Sequence, residues 1–287
     1  MNNKLYKLMN WPEIEGVIFA ECDDPHSILG PHKSGNNTLL QCYFPKAKEI
    51  KVNWENETGE NLSTQMEMAD EEGFFAVLLP VKNLKKYNYD VTYENETVKN
   101  IPDPYFVKTL FDKKDAVKFT NGIHYEIYDH LGAHPLTVEG ISGVYFAVWA
   151  PNALAVSVVG DFNNWDRHVH QMRRIKDVGI FELFVPGAKK GQNYKYEILV
   201  KGGITQLKAD PYAFESQLRP ENASVITDLT EFKWEDKEFI DKRGEFQAND
   251  KAISIYEMHL NSFMEKEDFA NYKEIAKKLI PYVKKMG

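Results

Sequence analysis

Apolar and polar residues alternate with a period of two over much of the chain. The clearest runs, each with its apolar side chains on one face, are Val144, Phe146 and Val148; Phe181, Leu183 and Val185; and Tyr194, Tyr196, Ile198 and Val200. Runs of this kind, about 8–12 residues apart and separated by Pro, Gly and Asn, are typical of antiparallel strands. The pattern predicts β-sandwiches in which each sheet buries one face.

The same order of motifs occurs twice. Leu-Gly-x-His begins at Leu29 and again at Leu131, and each copy leads into an apolar strand that ends at a proline. Further on, Asp103-Pro-Tyr corresponds to Asp210-Pro-Tyr, and 106 residues separate Gly73 from its counterpart Gly179. Two related units of about 90–100 residues are the simplest explanation.

The character of the chain changes after about Leu229. A charged stretch without a sustained period predicts a surface connection. It is followed by AISIYEMHL, which has the continuous hydrophobicity of a strand buried on both faces, and then by an amphipathic helix. A buried strand followed by a helix is the start of a β/α succession, and its missing neighbours suggest the front part of a larger protein.

Composition narrows the function. The chain has 287 residues, with 35 Lys and Arg against 43 Asp and Glu, for a net charge of −8. Nucleic acid and anionic membranes are therefore unexpected partners. We expect a cytoplasmic protein, since we find neither a leader nor a membrane-spanning stretch. Cys22 and Cys42 lack metal-site spacing, so we expect reduced packing residues, no metal and no cofactor.

One turn suggests a binding site. In VVGDFNNWDRH, Asn163 and Asn164 are turn-forming residues, and Trp165 follows them directly. The Trp165 ring either folds into the core or presents an apolar platform to a ligand. In the first unit Gly59 stands at the aligned position, so the sandwich closes without a ring there, which favours the platform.

From about Asp24 on, the chain resembles the bacterial glycogen branching enzymes of glycoside hydrolase family 13. The stretches that carry the resemblance are GVYFAVWAPNALAVSVVGDFNNWDRHVHQMRR, GIFELFVPGAKKGQNYKYEI, LKADPYAF and ISIYEMHLNSF. The resemblance implies two immunoglobulin-like sandwiches, the second a family 48 carbohydrate-binding module, followed by a truncated (β/α)8 barrel. It makes Ile253–Leu260 the first barrel strand and Asp268–Met286 the first barrel helix.

This resemblance sets the predicted domain boundaries. They are an N-terminal segment 1–23, a first sandwich 24–110, a linker 111–128 with a short helix, a family 48 sandwich 129–229, a linker 230–251 and the incomplete barrel 252–287.

The family transfers α-1,4-glucan segments to 6-hydroxyls with retention, using carboxylates at the ends of later barrel strands. None of those strands is in this sequence, so we assign no catalytic residue and expect the chain to be inactive alone. Glu257 and His259 on the first barrel strand are expected to support a site built elsewhere. Asp103 and Asp210 are expected to form structural Asx turns.

The function that the resemblance implies for this chain itself is weak binding of α-1,4-glucan, such as glycogen, amylose or maltooligosaccharide. Trp165 and Lys195 match glucan-contacting positions of related modules, and Asn163 and Asn164 in the same turn are further candidate glucan-binding residues. Ile204 stands where strong binders have a second aromatic residue. The missing barrel is the other implied partner, and Trp165 could instead face it.

Two alternative functions remain. One is the N-terminal region of a debranching or trehalose-releasing family 13 enzyme, and the other is a stand-alone glycan-targeting scaffold. The leading sandwich and the LGPH and LGAHP motifs argue against the first. The second requires the last forty residues or so to fold without a barrel.

Overall fold

A computed structural model describes residues 3–246, 252–264 and 271–286. The chain forms two compact units, one ending at Leu229 and the other beginning at Thr230. The first unit is mainly β, with several antiparallel sheets and few helices. In the described residues no helix is both long enough and apolar enough to cross a membrane.

The first eight strands form two four-stranded antiparallel sheets, which we call the first sheet pair. One sheet has the order β1-β2-β6-β5 and the other β4-β3-β7-β8. The strands are β1 (Gly30–Ser34), β2 (Asn37–Tyr43), β3 (Ala47–Glu55), β4 (Asn61–Gln65), β5 (Glu67–Asp70), β6 (Phe74–Leu79), β7 (Tyr87–Tyr93) and β8 (Val98–Ile101).

The next nine strands form the second sheet pair, also antiparallel. One sheet has the order β12-β13-β10-β9, and the other has the order β11-β14-β17-β16 with β15 also paired to β14. The strands are β9 (Gly132–Val138), β10 (Ile141–Trp149), β11 (Ala155–Gly160), β12 (Arg173–Ile175), β13 (Ile180–Pro186), β14 (Asn193–Val200), β15 (Ile204–Lys208), β16 (Glu215–Ser216) and β17 (Ser224–Val225).

The helices lie outside the sheets. Among the described residues, two short α-helices precede β1, one lies between the sheet pairs in the chain, and three belong to the second unit. They are α1 (Asn3–Tyr6), α2 (Trp11–Ile18), α3 (Lys113–Thr120), α4 (Lys237–Phe246), α5 (Leu260–Met264) and α6 (Tyr272–Met286). The short helix predicted between the two repeats is therefore α3.

The repeated motifs serve the same structural purpose in both sheet pairs. In the Asp-Pro-Tyr motif, Asp103 Oδ1 accepts from Tyr105 N at 2.8 Å, and its Oδ2 accepts from the Tyr87 and Tyr89 hydroxyls at 2.7 and 2.8 Å. Burial raises the pKa of the Asp103 carboxyl, and the three hydrogen bonds act in the opposite direction. The predicted Asx turn is confirmed here.

Asp210 repeats this arrangement in the second sheet pair. Its Oδ1 accepts from Tyr212 N at 2.8 Å, and its Oδ2 accepts from the hydroxyls of Tyr194 at 2.6 Å and Tyr196 at 3.2 Å. A buried carboxylate that satisfies two buried tyrosines is therefore a structural device that the duplication kept.

The Leu-Gly-x-His motif is also structural. His32 Nε2 lies 3.1 Å from the carbonyl oxygen of Leu29, and His134 Nε2 lies 3.0 Å from that of Leu131. Gly30 has φ +86°, and a Cβ there would lie 2.7 Å from the Tyr105 carbonyl oxygen. Only glycine allows this approach.

Both faces of several strands are buried, so the prediction that each sheet buries one face is wrong for them. On β10, Val144, Phe146 and Val148 face the core of the second sheet pair. Tyr145 and Ala147 point the other way and are covered by the segment before β9, including Phe111.

The N-terminal segment joins the two sheet pairs. The buried face of α2 consists of Ile14, Val17 and Ile18, and it belongs to a core cluster that continues into both sheet pairs. Cys22 lies in the same cluster, and burial raises the pKa of its thiol to about 11. With Cys42 also buried and unpaired, the prediction of reduced packing cysteines is confirmed.

In the second unit the charged connection contains a helix, α4, whose residues 237–245 are exposed, as expected of a surface connection. The strand expected over Ile253–Leu260 is absent, because residues 252–259 have no regular structure and α5 begins at Leu260. Ile255 is 89% exposed. A strand requires hydrogen-bonded neighbours, and none pairs with this segment in the described residues. The helix expected over Asp268–Met286 is α6 from Tyr272, while 268–270 lie outside the described residues.

Candidate functional site

The turn after β11 is held by Asn163. Its Oδ1 accepts from Gly160 N at 2.9 Å, and its Nδ2 donates to the Val158 carbonyl oxygen at 2.9 Å and to His170 Nδ1 at 3.1 Å. The residue is buried. Because both ends of its amide are occupied inside the protein, Asn163 stabilises the turn and does not present a group to a ligand.

The two residues that follow have left-handed backbone conformations. φ is +55° at Asn164 and +61° at Trp165. Such angles are uncommon for residues with a Cβ, and they are unfavourable for a bulky aromatic residue unless the surroundings enforce them. Here they direct the Trp165 ring outward, where 39% of the residue is exposed.

The ring is positioned by a polar network. Trp165 Nε1 donates to Asp161 Oδ1 at 3.2 Å. The other oxygen of Asp161 accepts from Asn193 N at 2.8 Å and from Asn193 Nδ2 at 3.0 Å. The indole is thus connected to the first residue of β14.

Lys195 lies two residues further along β14. It is on the same face as Asn193, because side chains alternate along a strand, and the separation is about 7 Å. Its Nζ donates to Asn222 Oδ1 in the segment before β17. Trp165 and Lys195 are therefore on the same end of one sheet, as their predicted roles require.

The sequence did not indicate two further residues at this end of the sheet. Asn222 orients the Lys195 ammonium group. Leu218 is 89% exposed four residues before it, in the turn between β16 and β17. Neither residue belongs to a recognisable motif. The turn approaches β14 only in the folded chain, so the sequence around it does not indicate the contact.

The first sheet pair shows that the fold does not require an exposed ring. Trp54 pairs with Tyr87 in the register of β3 and β7, as Gly160 pairs with Tyr194 in that of β11 and β14. Trp54 is buried, and its Nε1 donates to Thr64 Oγ1 at 3.0 Å. At Gly160 a Cβ would lie 2.3 Å from the Asn193 carbonyl oxygen. The two tryptophans are therefore not equivalent.

Ile204 is exposed and lies far from Lys195 along the sheet. It pairs with Val200, five residues beyond Lys195 on β14, a distance of about 17 Å along the strand. Its branched aliphatic side chain offers no ring to stack on a sugar. Ile204 therefore adds no second ring beside Trp165.

On its other side, the turn borders a groove of about 570 Å³ between the two sheet pairs. Asn164 contributes to one wall, and Tyr93 and Lys99 contribute to the other. The Lys99 ammonium lies 5.5 Å from the centroid of the Tyr93 ring. Asn164 is the exposed amide of the turn and is available from this side.

Few neighbouring groups surround the two residues expected to support a catalytic site. Glu257 and His259 are both exposed in the segment before α5 that is not a strand. Their predicted supporting role stays a prediction.

Two family profiles match the chain. Residues 130–213 match "Carbohydrate-binding module 48 (Isoamylase N-terminal domain)", and residues 10–105 match "alpha-1,4-glucan branching enzyme GlgB, N-terminal domain". The first match defines the class: residues 130–213, which form most of the second sheet pair, match the family 48 carbohydrate-binding modules.

Curated relatives extend the match to nearly the whole chain. A 1,4-α-glucan branching enzyme from Rubrobacter xylanophilus is 39% identical over 277 residues, which is 96% of this chain and 37% of that protein. One from Thermosynechococcus vestitus is 38% identical over an alignment of 305 residues, which covers 96% of this chain and 39% of that protein. The chain belongs to the N-terminal region of the 1,4-α-glucan branching enzyme family, and it spans little more than a third of these relatives.

Among solved structures, a pullulanase from Anoxybacillus sp. LM18-11 complexed with maltotetraose is also similar. Its chain is 18% identical with a TM-score of 0.31, over 72% of this chain and 27% of that one. The assignment to the family rests on the sequence matches.

Proposed function

We propose that this chain binds α-1,4-glucan weakly through Trp165 and Lys195 and is the non-catalytic region of an enzyme that makes α-1,6 branches. The observation that carries the proposal is the outward-facing Trp165 ring, fixed by Asp161 in a module of the carbohydrate-binding family 48. The two sheet pairs would then be immunoglobulin-like sandwiches, and 252–287 would be the start of a (β/α)8 barrel.

The chemistry of the face suits a glucose polymer. A sugar ring has an apolar face that stacks on an indole, and its hydroxyls accept and donate hydrogen bonds at the rim. Trp165 provides the ring and the Lys195 ammonium provides donors, while the exposed Asn164 amide lies on the groove side of the turn. Asn163 is excluded because its amide is used within the turn.

Binding through this face should be weak. A single ring offers a small contact area, and Ile204 cannot add a second stacking surface. The face would serve to keep a glucan chain near a catalytic domain, for which a modest affinity is sufficient. That domain is the proposed partner in cis, and branch formation by retaining transfer is its proposed reaction.

The test is affinity electrophoresis of the full chain in gels with and without amylopectin. The wild type should be modestly retarded by amylopectin, and Trp165→Ala should remove the retardation, with about tenfold weaker binding. Lys195→Ala should reduce it in part.

Trp234→Ala is the matched control. Trp234 is 77% exposed, more than Trp165, and lies outside the first unit. It should migrate as the wild type does, because exposure alone does not make a platform. If urea unfolding shows that Trp165→Ala is folded and amylopectin still retards it as much as the wild type, Trp165 does not belong to the proposed site.

A further inference from the structure

A cluster of metal-ligand side chains lies in the segment of the chain that joins the two sheet pairs, away from the glucan face. Asp115, His124 and His130 each offer one ligand atom, and these atoms all lie within 4.8 Å of one another. Their spacing, Asp-x8-His-x5-His, is not a familiar motif, and the fold brings them together. No part of the glucan-binding function uses them.

Local structure explains how the three residues meet. Asp112 caps α3, with its Oδ1 accepting from Lys114 N at 2.7 Å and Asp115 N at 2.9 Å. The chain turns back at Gly122, whose φ is +68°. A second turn, in which His130 N donates to the Ile127 carbonyl oxygen at 3.0 Å, returns it to the same place.

The distances suit a small tetrahedral ion. Asp115 Oδ1 lies 3.1 Å from His124 Nε2, and Asp115 Oδ2 lies 3.5 Å from His130 Nε2. Around Zn²⁺, with bonds of about 2.0–2.1 Å, neighbouring ligand atoms are about 3.3 Å apart. The three ligand atoms, all within 4.8 Å of one another, therefore lie close to this spacing, with each imidazole facing its own Asp115 oxygen.

An aromatic ring packs against both imidazoles of the cluster, and one side of the cluster is open to solvent. The Phe111 ring stacks on the His124 ring at 6.4 Å and meets the His130 ring edge-on at 5.4 Å. The exposed fractions of the side chains are 4% for His124, 15% for Asp115 and 28% for His130. His130 is therefore the ligand able to adjust, and water can reach the ion from its side.

Charge is compatible with a divalent cation. The Lys118 ammonium lies 3.6 Å from Asp115 Oδ1, and its side chain is half exposed, so it can swing into solvent when a cation binds. Two imidazole nitrogens and one carboxylate favour Zn²⁺ over Mg²⁺ or Ca²⁺, which prefer oxygen ligands.

We propose that Asp115, His124 and His130 form a Zn²⁺ site with water as the remaining ligand. The ion would fasten the two turns after α3 to each other and to Phe111, whose N–H donates to Glu182 on β13. Its role is therefore structural, in the segment that joins the sheet pairs.

The test is calorimetric titration of the chelator-treated full chain with Zn²⁺ alone, together with thermal unfolding. The wild type should bind one Zn²⁺ and unfold at a higher temperature with it, since a ligand of the folded state stabilises that state. His130→Ala should weaken binding at least tenfold and lose the thermal shift. Co²⁺ should give the visible bands of a tetrahedral site in the wild type but not in His130→Ala.

His168→Ala is the matched control. His168 Nδ1 lies 2.7 Å from Asp166 Oδ1, so it is also a histidine beside a carboxylate, but the described residues near it form no three-ligand group. This variant should bind Zn²⁺ as the wild type does. Absence of stoichiometric binding to the wild type, or equal loss in both variants, would overturn the site. Neither result depends on glucan binding.

Discussion

The hydrogen bond between Asn163 and His170 fixes the charge of a buried imidazole. Asn163 Nδ2 donates to His170 Nδ1, so this nitrogen carries no proton in the folded chain. Burial lowers the pKa of His170 to about 4. Protonation would both charge a buried group and remove the bond that holds the turn under Trp165.

Stability should therefore fall on acidification. In the unfolded chain a histidine has a pKa of about 6.5, so between pH 6.5 and 4 the unfolded state binds more protons than the folded state. His170 alone should lower the free energy of unfolding by about 1.4 kcal/mol per pH unit in this window. His170→Asn removes the titrating group and should give a flatter pH dependence in urea unfolding.

A second histidine acts in the same direction as His170. Burial lowers the pKa of the partly buried His26 to about 3, and this residue is present in both the wild type and His170→Asn. A His170→Asn profile as steep as the wild type would show that this imidazole does not control acid stability.

Residue roles were predictable where a motif acts locally. The Asp103 and Asp210 turns are determined by the two residues that follow each aspartate, so their structural role could be inferred from the sequence. Asn163 was misassigned as a glucan ligand because two adjacent turn asparagines look alike in sequence. Only the structure shows that one amide is enclosed and the other is exposed.

At the scale of elements, Glu182 on β13 attaches the linker to the second sheet pair. Its buried carboxylate accepts from Arg173 Nη2 at 2.6 Å and from the Tyr145 hydroxyl at 2.8 Å. It also accepts from the backbone N–H groups of Leu110 and Phe111 at 3.1 and 3.0 Å. Four donors from three separate segments converge on one side chain.

Glu182→Gln should lower the free energy of unfolding by about 3 kcal/mol. The amide keeps one acceptor but turns an NH₂ group toward donors and leaves Arg173 without its counter-charge. Urea unfolding measures the loss, and hydrogen exchange at Leu110 and Phe111 should become faster.

Glu197→Gln is the control for this effect. Glu197 pairs with Arg167 at 3.7 Å in a less buried place, and its loss should cost less than about 1 kcal/mol. Equal losses in the two variants would mean that the Glu182 cluster does not hold the linker.

Secondary-structure elements could be predicted where the residues within an element determine it. The strands and α3 follow from alternation and capping. The prediction of a strand over Ile253–Leu260 was wrong because a hydrophobic run indicates only that a segment can be buried. A strand becomes buried only when neighbouring elements pack against it. The helix α2 was missed because its three buried residues make a short stripe in a polar segment. The Zn²⁺ ligands were missed because their spacing follows no motif.

At the scale of the whole molecule, the two compact units should separate under protease. The connecting residues from Leu229 to Glu235 are exposed. Limited digestion with trypsin should first cut at Lys233 or Lys237 and leave a resistant fragment containing both sheet pairs. Mass spectrometry of the fragments identifies the cut, and an initial cut within either sheet pair would contradict the division.

The division of the chain into two repeats was predictable, but the continuity between them was not. A repeat is visible in sequence because each copy keeps its own motifs. The cluster that passes from α2 into both sheet pairs depends on contacts between residues more than a hundred positions apart, which no local pattern reports.

That continuity has a consequence for synthesis on the ribosome. The end of α2 is fastened by Gln171 Nε2 to the Val17 carbonyl oxygen at 2.7 Å and by Arg167 Nη2 to the Phe19 carbonyl oxygen at 2.6 Å, partners made 154 and 148 residues later. At about 5–20 residues per second, the first helices wait roughly 7–30 seconds for them. During this interval only the first sheet pair can cover the apolar face of α2, and the part that packs against the second sheet pair stays open on the nascent chain, where a chaperone would bind.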